Sequence, residues 1–345
     1  MRWRLADRTL DLARPLGAGI VNVTVDSMFE GARSGTPEQA VADGLALAEA
    51  GFGMLDIGAV AAKAGPSVPP EREAAALIPA VEGLRGRSGG SFVGSGTAKE
   101  PRDRKGAVAA QSRGPFVGQD MTKEPRDVPV SADTFSPEVA RRALAAGAVV
   151  VNDISGGSEE MFGLVAETGA GYVLMHIEGP PRVDRPWREY EDVVDHLRAW
   201  FEGRVELARD LGVAEEQIAI DPGLDFDLSP EQDLEILRRL GELRALGLPL
   251  YVSLSRKDFI GGVLAGSWDE RLPAAEREWG TVAAVTLAVR EGADILRIHD
   301  RSSLQAMHVA AEICRGGNSG ADGTKTAYMD RFSSRQPIES ARGEG

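Results

Sequence analysis

The feature that most constrains the fold is a series of eight short apolar runs, each bounded by turn residues. They are rich in Val, Ile and Leu, as strands buried on both faces of a parallel sheet are. The runs are GAGIVNVTV (17–25), MLDIGA (54–59), PVSADT (129–134), VVVNDI (149–154), YVLMHI (172–177), IAIDPG (218–223), LYVSLS (250–255) and ILRIHD (295–300).

The segments between these runs have helical patterns. Three of them begin with a hydroxyl residue, a proline and an acid, at Thr36-Pro37-Glu38, Ser136-Pro137-Glu138 and Ser229-Pro230-Glu231. This order suits a helix N-terminus, where a hydroxyl caps an unpaired amide and an acid faces the positive dipole end. Eight strand–helix units in series predict a single-domain (β/α)8 TIM barrel. An open doubly wound sheet is the alternative, but no G-x-G-x-x-G turn follows the first strand.

Two segments do not fit the alternation. Residues 86–128, between the second helix and the third strand, are rich in Gly, Ser, Arg and Lys, and FVGSGTAKEPRD (92–103) recurs as FVGQDMTKEPRD (116–127). We interpret this segment as a flexible, duplicated surface insertion; an arm that docks a partner is the alternative. The polar residues 316–345 are expected to be a disordered tail. The barrel is therefore expected to occupy residues 1–315, interrupted by the insertion.

Composition excludes several classes of function. The net charge of −14 works against binding to nucleic acid or to an anionic membrane surface. The chain contains no apolar stretch of the roughly 20 residues that span a bilayer, and its first residues lack the apolar core of a signal peptide. A single cysteine, Cys314, cannot form an intrachain disulfide, which favours a cytoplasmic protein. An anionic small substrate would need a local cluster of cations.

Polar residues end nearly every predicted strand. In a barrel of this kind the C-terminal strand ends form the active face, and a buried polar group without a partner costs about 1–3 kcal/mol. Any one of these residues could cap a helix or bind a loop amide, but together they predict a polar pocket floor. In strand order they are Asn22 and Asp26; Asp56; Asp133; Asn152 and Asp153; His176; Asp221; Ser255, Arg256 and Lys257; and Arg297, His299 and Asp300.

The charges at these strand ends are unevenly distributed. Asp133, Asn152 and Asp221 come from strands three to six, and carboxylates beside an amide suit a ring with several N–H donors, such as an aminopyrimidinone. The last two strands instead contribute cations, where barrels of this type usually bind phosphate. These are Arg256, Lys257, Arg297 and His299, of which Arg256 could instead form a structural ion pair.

Other chemistries lack their motifs. The sequence contains no H-E-x-x-H motif or Cys/His cluster typical of zinc, and no G-x-S-x-G serine nucleophile. His196 and His308 fall in predicted helices, where we interpret them as packing or surface residues.

The strand-end motifs together resemble the dihydropteroate synthase family. The resemblance runs from about Leu10 to Cys314 and omits the insertion. Its motifs are NVTVDS (22–27), DIG (56–58), DTF (133–135), NDISGG (152–157), LMH (174–176), DPGLDF (221–226), SRKDFIG (255–261) and RIHD (297–300).

The resemblance implies an activity and a site. That family joins 4-aminobenzoate to a hydroxymethyl-dihydropterin diphosphate and releases pyrophosphate, with Mg²⁺ bound beside Asn22. The implied pterin-binding residues are Asp133, Asn152, Met175, Asp221 and Lys257. The implied diphosphate-binding residues are Asn22, Lys63, Arg297 and His299. The implied catalytic residues are Asp26, Lys257, Arg297 and His299. A homodimer is implied as well.

The departures from the family pattern are concentrated around the second substrate. The loop after the second strand, D-I-G-G-E-S-T-R-P-G in the family, is DIGAVAAKAG, so that Lys63 replaces an arginine and alanines replace the hydroxyls. Val25 and Met28 replace a proline and a phenylalanine. The serine after Ser-Arg-Lys is Asp258, which we expect to repel a benzoate carboxylate.

Three functions remain open from the sequence. The first is dihydropteroate synthase itself. The second is a pterin-binding paralogue with a different acceptor or no catalytic activity, suggested by the altered loops. The third is a methyltransferase that uses a methylated folate, which the cations Lys257, Arg297 and His299 disfavour.

Overall fold

Eight parallel strands form the centre of the protein in the computed structural model, which describes residues 1–23, 34–62, 67–85 and 128–316. The strands neighbour one another in the order β8-β7-β6-β5-β4-β3-β10-β9, and a bridge between Ile220 and Leu250 joins the two edges. The predicted barrel is therefore confirmed. The ten strands are β1 (Arg2–Arg4), β2 (Thr9–Asp11), β3 (Leu16–Asn22), β4 (Met54–Gly58), β5 (Val130–Asp133), β6 (Val150–Asp153), β7 (Gly171–Met175), β8 (Ile218–Asp221), β9 (Tyr251–Ser253) and β10 (Ile295–Ile298).

Helices lie between the barrel strands. They are α1 (Pro37–Glu49), α2 (Pro70–Arg85), α3 (Pro137–Ala145), α4 (Glu159–Thr168), α5 (Val193–Asp210), α6 (Pro230–Arg238), α7 (Asp258–Ala265), α8 (Glu278–Arg290) and α9 (Arg301–Gly316). The three predicted caps are confirmed, because the side chains of Thr36, Ser136 and Ser229 each accept a hydrogen bond from the amide three residues later.

The interior of the barrel is layered. Side chains of a strand alternate between its two faces, so residues two apart on each strand share the interior. The layer near the N-terminal strand ends is apolar and contains Met54, Val150, Val173, Ala219 and Ile295. Two residues further along the same strands lie Asp56, Asn152, Met175, Asp221 and Arg297. This alternation places an apolar layer under a polar one that faces the C-terminal strand ends.

A short hairpin of β1 and β2 closes the N-terminal end of the barrel. Trp3 is fully buried in the apolar layer, and its indole N–H donates to the carbonyl of Gln217 at 2.7 Å. Arg4 donates to the side chain of Gln217 at 2.6 Å. The sequence did not predict this hairpin, because strands of three residues carry too little periodicity to be recognised.

The predicted insertion and tail lie outside the described residues except for Val128 and Gly316 at their borders. Among the described helices, none has the length and apolar composition needed to cross a membrane.

Candidate active site

A buried ion-pair network centred on Arg297 occupies the polar layer. Its Nε donates to Asp56 Oδ2 at 2.5 Å, and its Nη2 donates to Asp133 Oδ2 at 2.6 Å. Asn152 Nδ2 donates to the same oxygen of Asp56 at 3.0 Å. Arg297, predicted to face a diphosphate, is thus held along one edge by two carboxylates. Its side chain remains 16% exposed, and Nη1 makes no hydrogen bond among the residues described.

Asp221 lies beside this network at the end of β8. Its Oδ1 accepts the amide of Gly223 at 2.9 Å. Burial raises the pKa of Asp221 to about 6, against the lowering effect of the Gly223 amide and the Lys257 cation. Burial likewise raises the pKa of Asp133, although Arg297 lowers it. Both carboxyls are therefore costly to ionise without a ligand that donates hydrogen bonds to them.

Lys257 extends from the start of α7 over the C-terminal face. It is almost fully buried, its Nζ donates to the carbonyl of Leu224 at 2.8 Å, and it lies 4.4 Å from the centre of the Phe226 ring. A cation over an aromatic face is attracted by the ring quadrupole, so Lys257 is fixed above the polar layer.

An apolar wall stands next to the polar floor. Met175 packs with Ile154 and Ile177, and Phe135 and Phe226 pack against this group. A flat ring with polar edges would find a thioether and aromatic carbon on its face and carboxylates at its edge. The arrangement therefore suits a heteroaromatic ligand.

His299 is held in place by Ser255. The Ser255 hydroxyl oxygen accepts the backbone N–H of His299 at 3.3 Å and shares a hydrogen bond of 2.8 Å with His299 Nδ1. Burial, with Arg297, Arg256 and Lys257 nearby, lowers the pKa of His299 to about 3. The imidazole is consequently neutral.

Arg256 forms a structural ion pair, which was the alternative interpretation of its sequence position. Its Nε and Nη2 donate to the two oxygens of Asp300 at 3.0 and 2.9 Å, and Nη1 donates to the carbonyl of Ala274 at 2.8 Å. This fork-shaped pairing ties the loop after β9 to the end of β10.

The charge of Asp258 is neutralised, which corrects one expectation. Arg277 donates to Asp258 Oδ1 at 2.7 Å, and the Arg277 side chain is only 6% exposed. Asp258 therefore presents no uncompensated negative charge to a benzoate. Asp225 accepts the amides of Asp258 and Phe259 at 2.5 and 3.2 Å, so a carboxylate of the chain already caps α7.

The loop after β4 is braced from the far side of the barrel. Arg182, in the loop after β7, donates to the carbonyl of Ala61 at 2.5 Å, and Ala62 packs against the Met175 wall. The sequence did not predict this contribution of Arg182. Lys63 in the same loop and Asp26 in the preceding loop lie outside the described residues.

Asn22 ends β3 at the C-terminal face of the barrel, beside β4. It pairs in register with Gly58, which pairs with Asp133, and a Cβ at Gly58 would lie 3.1 Å from Asp133 Oδ2. An amide oxygen belongs to the ligand types of Mg²⁺, which commonly takes one or two protein oxygens together with substrate phosphates.

Comparisons with known proteins agree with this geometry. A family model described as "Pterin binding enzyme" matches residues 18–93 and 114–299. The chain is 35% identical over 300 residues to a dihydropteroate synthase of Synechocystis sp., which covers 86% of this chain and 87% of that protein.

Two solved structures are similar as well. The Xanthomonas albilineans dihydropteroate synthase in complex with 7,8-dihydropteroate has a TM-score of 0.67 and 33% identity, covering 90% of this chain and 98% of its own. The Yersinia pestis dihydropteroate synthase in a sulfonamide drug complex has a TM-score of 0.74 and 28% identity, covering 92% and 100%.

Proposed function

The chain belongs to the pterin-binding enzyme family, and we propose that it is a dihydropteroate synthase. In this reaction 4-aminobenzoate and 6-hydroxymethyl-7,8-dihydropterin diphosphate give 7,8-dihydropteroate and pyrophosphate. The observation that carries the proposal is the polar floor of the barrel, where Asp133, Asn152 and Asp221 lie beside an apolar wall and a fixed Lys257.

The floor accounts for recognition of the pterin. Asp133 and Asp221 present carboxylate oxygens to the N–H groups of the aminopyrimidinone edge, and Asn152 completes that edge. Met175 and Phe226 contact the faces of the ring. Since burial makes both carboxyls costly to ionise, hydrogen bonds from the ligand stabilise their charged forms most.

The cations account for the leaving group. The C–O bond to the diphosphate breaks as the amine nitrogen of the second substrate forms a C–N bond to the methylene carbon, and that nitrogen then loses one proton. Arg297 Nη1, and His299 Nε2 in the tautomer that carries its proton there, are donors for the departing charge, while the carboxylates stabilise positive charge on the pterin. The reaction needs no protein nucleophile.

Further residues belong to the proposal. Asn22 would hold Mg²⁺, which supplies charge neutralisation on the diphosphate when it is bound. Lys63 would add a cation for the same group, and Asp26 would help to close the site; both lie outside the described residues.

A second candidate is a pterin-binding paralogue with another acceptor or no catalysis. The alanines at Ala61 and Ala62 favour it, because they remove hydroxyl contacts to the second substrate. Calorimetry separates the candidates: the paralogue binds the pterin diphosphate, while 4-aminobenzoate adds no second event in the presence of pyrophosphate and a pterin.

The direct test is product formation by the purified chain. Mass spectrometry should detect 7,8-dihydropteroate only when Mg²⁺ and both substrates are present. Product that does not exceed the level of an Asp221→Ala control would contradict the proposal.

The assembly and location are also proposed. Adjacent helices expose Val263, Leu264, Trp279 and Leu287, with Trp279 77% exposed, so we propose a homodimer through this face. Light scattering should give twice the chain mass, and Trp279→Lys should give the monomer. The single cysteine supports a cytoplasmic location.

A further inference from the structure

His176 is a buried imidazole that makes no side-chain hydrogen bond within the described part of the chain. The side chain is fully buried, and neither ring nitrogen has a hydrogen-bond partner among the described residues. Glu178 Oε1 lies 3.5 Å from His176 Nε2, within range of an ion pair but beyond the usual range for an N–H···O hydrogen bond. An unsatisfied buried polar group costs about 1–3 kcal/mol. A ligand bound by the His176 ring would remove that cost.

Two further ligand atoms converge on the same point. His196 Nε2 lies 2.7 Å from Glu178 Oε1, and one ligand atom from each of the three side chains lies within 4.8 Å of the others. Zinc–ligand bonds of about 2.0–2.2 Å put the ligands of a tetrahedral ion about 3.4 Å apart. The 3.5 Å between His176 Nε2 and Glu178 Oε1 already matches this spacing. The 2.7 Å between His196 Nε2 and Glu178 Oε1 is about 0.7 Å shorter, so the His196 ring has to shift to admit an ion.

The surroundings hold both imidazoles in place. Trp200 meets the His176 ring edge-on with centroids 4.9 Å apart, and Tyr190 stacks on His196 at 4.1 Å. His176 follows Met175 on β7 but packs against Trp200 of α5. The cluster therefore lies behind the apolar wall, outside the barrel interior.

No other part of the chain offers the same donor set. All four histidines and the one cysteine fall in the described ranges. His299 is bonded to Ser255, while His308 and Cys314 lie on α9, six positions apart. Only at His176 and His196 do two imidazoles meet in the described structure, with centroids 5.4 Å apart.

We propose that His176, Glu178 and His196 bind a divalent transition-metal ion of the zinc class. Two imidazoles and one carboxylate suit zinc and disfavour Mg²⁺ and Ca²⁺, which prefer oxygen ligands alone. Arg188 contacts the other Glu178 oxygen at 3.1 Å, but its side chain is 55% exposed and can move into solvent. The ion would tether the loop after β7 to α5 and so support the wall at Met175.

The test uses untagged full-length protein treated with a chelator and then titrated with Co²⁺, followed by Zn²⁺ displacement. We expect one equivalent of Co²⁺ to give a visible d–d absorption band that Zn²⁺ abolishes. His196→Ala and Glu178→Gln should weaken binding about tenfold or more, since removing even an outer-shell partner costs 10–100-fold. His308→Ala and Cys314→Ser are matched controls that should bind as the unaltered chain does.

Glu178→Gln preserves the shape of the side chain, so it separates lost ligation from lost folding, and circular dichroism verifies the fold of each variant. Zn²⁺ should raise the melting temperature of the unaltered chain but not that of Glu178→Gln. The proposal is overturned if the unaltered chain shows no saturable binding. It is equally overturned if His196→Ala and Glu178→Gln bind Co²⁺ as tightly as the unaltered chain, or if the band disappears in His308→Ala or Cys314→Ser.

Discussion

The floor of the barrel and the loops above it, here called the rim and represented by Asp258 and Arg277, both contain ion pairs. The paired residues are separated by different distances along the chain. On the floor, Arg297 pairs with Asp56 and Asp133, which are 241 and 164 residues away. On the rim, Asp258 pairs with Arg277, only 19 residues away. Floor pairing depends on closure of the whole barrel, whereas the Asp258–Arg277 pair joins two neighbouring segments of the chain. The rim can therefore change its sequence while the floor keeps its geometry.

The largest expected effect comes from removing Arg297 from the ion pairs of the floor. Arg297→Met leaves Asp56 and Asp133 buried without their cation, so we expect unfolding free energy to fall by about 3–5 kcal/mol and condensation to be lost. Urea denaturation measures the first effect. Arg141→Met is the control: Arg141 pairs with Glu167 at 3.0 Å with both side chains more than half exposed, so its loss should cost at most about 1 kcal/mol. Equal losses in the two variants would contradict the comparison.

The next effect concerns Asp221. Because its pKa is raised to about 6, we expect kcat/KM for the pterin diphosphate to fall as pH drops below about 6, where the carboxyl becomes protonated. Asp221→Asn should lower kcat/KM by about tenfold or more, the value of a charge-assisted hydrogen bond, and remove this limb of the profile. An unchanged pH profile in Asp221→Asn would contradict the assignment.

The same pKa shift sets the sign of a stability change. A carboxyl whose pKa is higher in the folded than in the unfolded chain contributes stability at low pH. That contribution is lost as pH rises from about 4, the unfolded value, through about 6. Asp221→Asn should therefore be more stable than the unaltered chain at pH 8. Thermal denaturation of both proteins at about pH 4, the unfolded value, and at pH 8 measures this. A less stable variant at pH 8 would show that the ionised carboxylate is stabilising.

A smaller effect is expected at the rim. Arg277→Met removes the partner of Asp258, and two charges about 6 Å apart in water-like surroundings repel by about 0.7 kcal/mol. KM for 4-aminobenzoate should then rise by about threefold, while KM for the pterin diphosphate stays constant. Arg277→Lys keeps the charge and is the control. A matched rise in both KM values would indicate general damage instead of local repulsion.

The smallest effect is expected from the insertion. Deletion of residues 88–124 should leave the melting temperature and pterin binding unchanged, because the described strands already form the full barrel order without it. Calorimetric binding and thermal denaturation test this. Loss of either would show that the segment packs on the barrel.

The sequence predicted what depends on local pattern. The eight strands and the caps at Thr36, Ser136 and Ser229 follow from periodicity and from short-range chemistry, and all were confirmed. It could not predict pairings made by tertiary structure. The expected repulsion from Asp258 was wrong because Arg277 neutralises it. The two residues are 19 positions apart, farther than helix or strand periodicity reaches.

In the candidate site, too, the sequence predicted which residues lie at the strand ends but not which of them pair. The strand-end motifs placed Asp133, Asn152 and Asp221 on one floor, but the ion pairs of Arg297 emerge only from the register of four strands. His196 was interpreted as a packing or surface residue of a helix. Its approach to His176 and Glu178 depends on how the loop after β7 returns to α5, which periodicity does not encode.

The central claim is that an intact floor under an altered rim still condenses 4-aminobenzoate with the pterin diphosphate. The most direct measurement is the simultaneous initial rate of 7,8-dihydropteroate formation and pyrophosphate release at increasing 4-aminobenzoate. We predict equal rates that saturate with 4-aminobenzoate. Pyrophosphate release without dihydropteroate, or no release of either product, would contradict it.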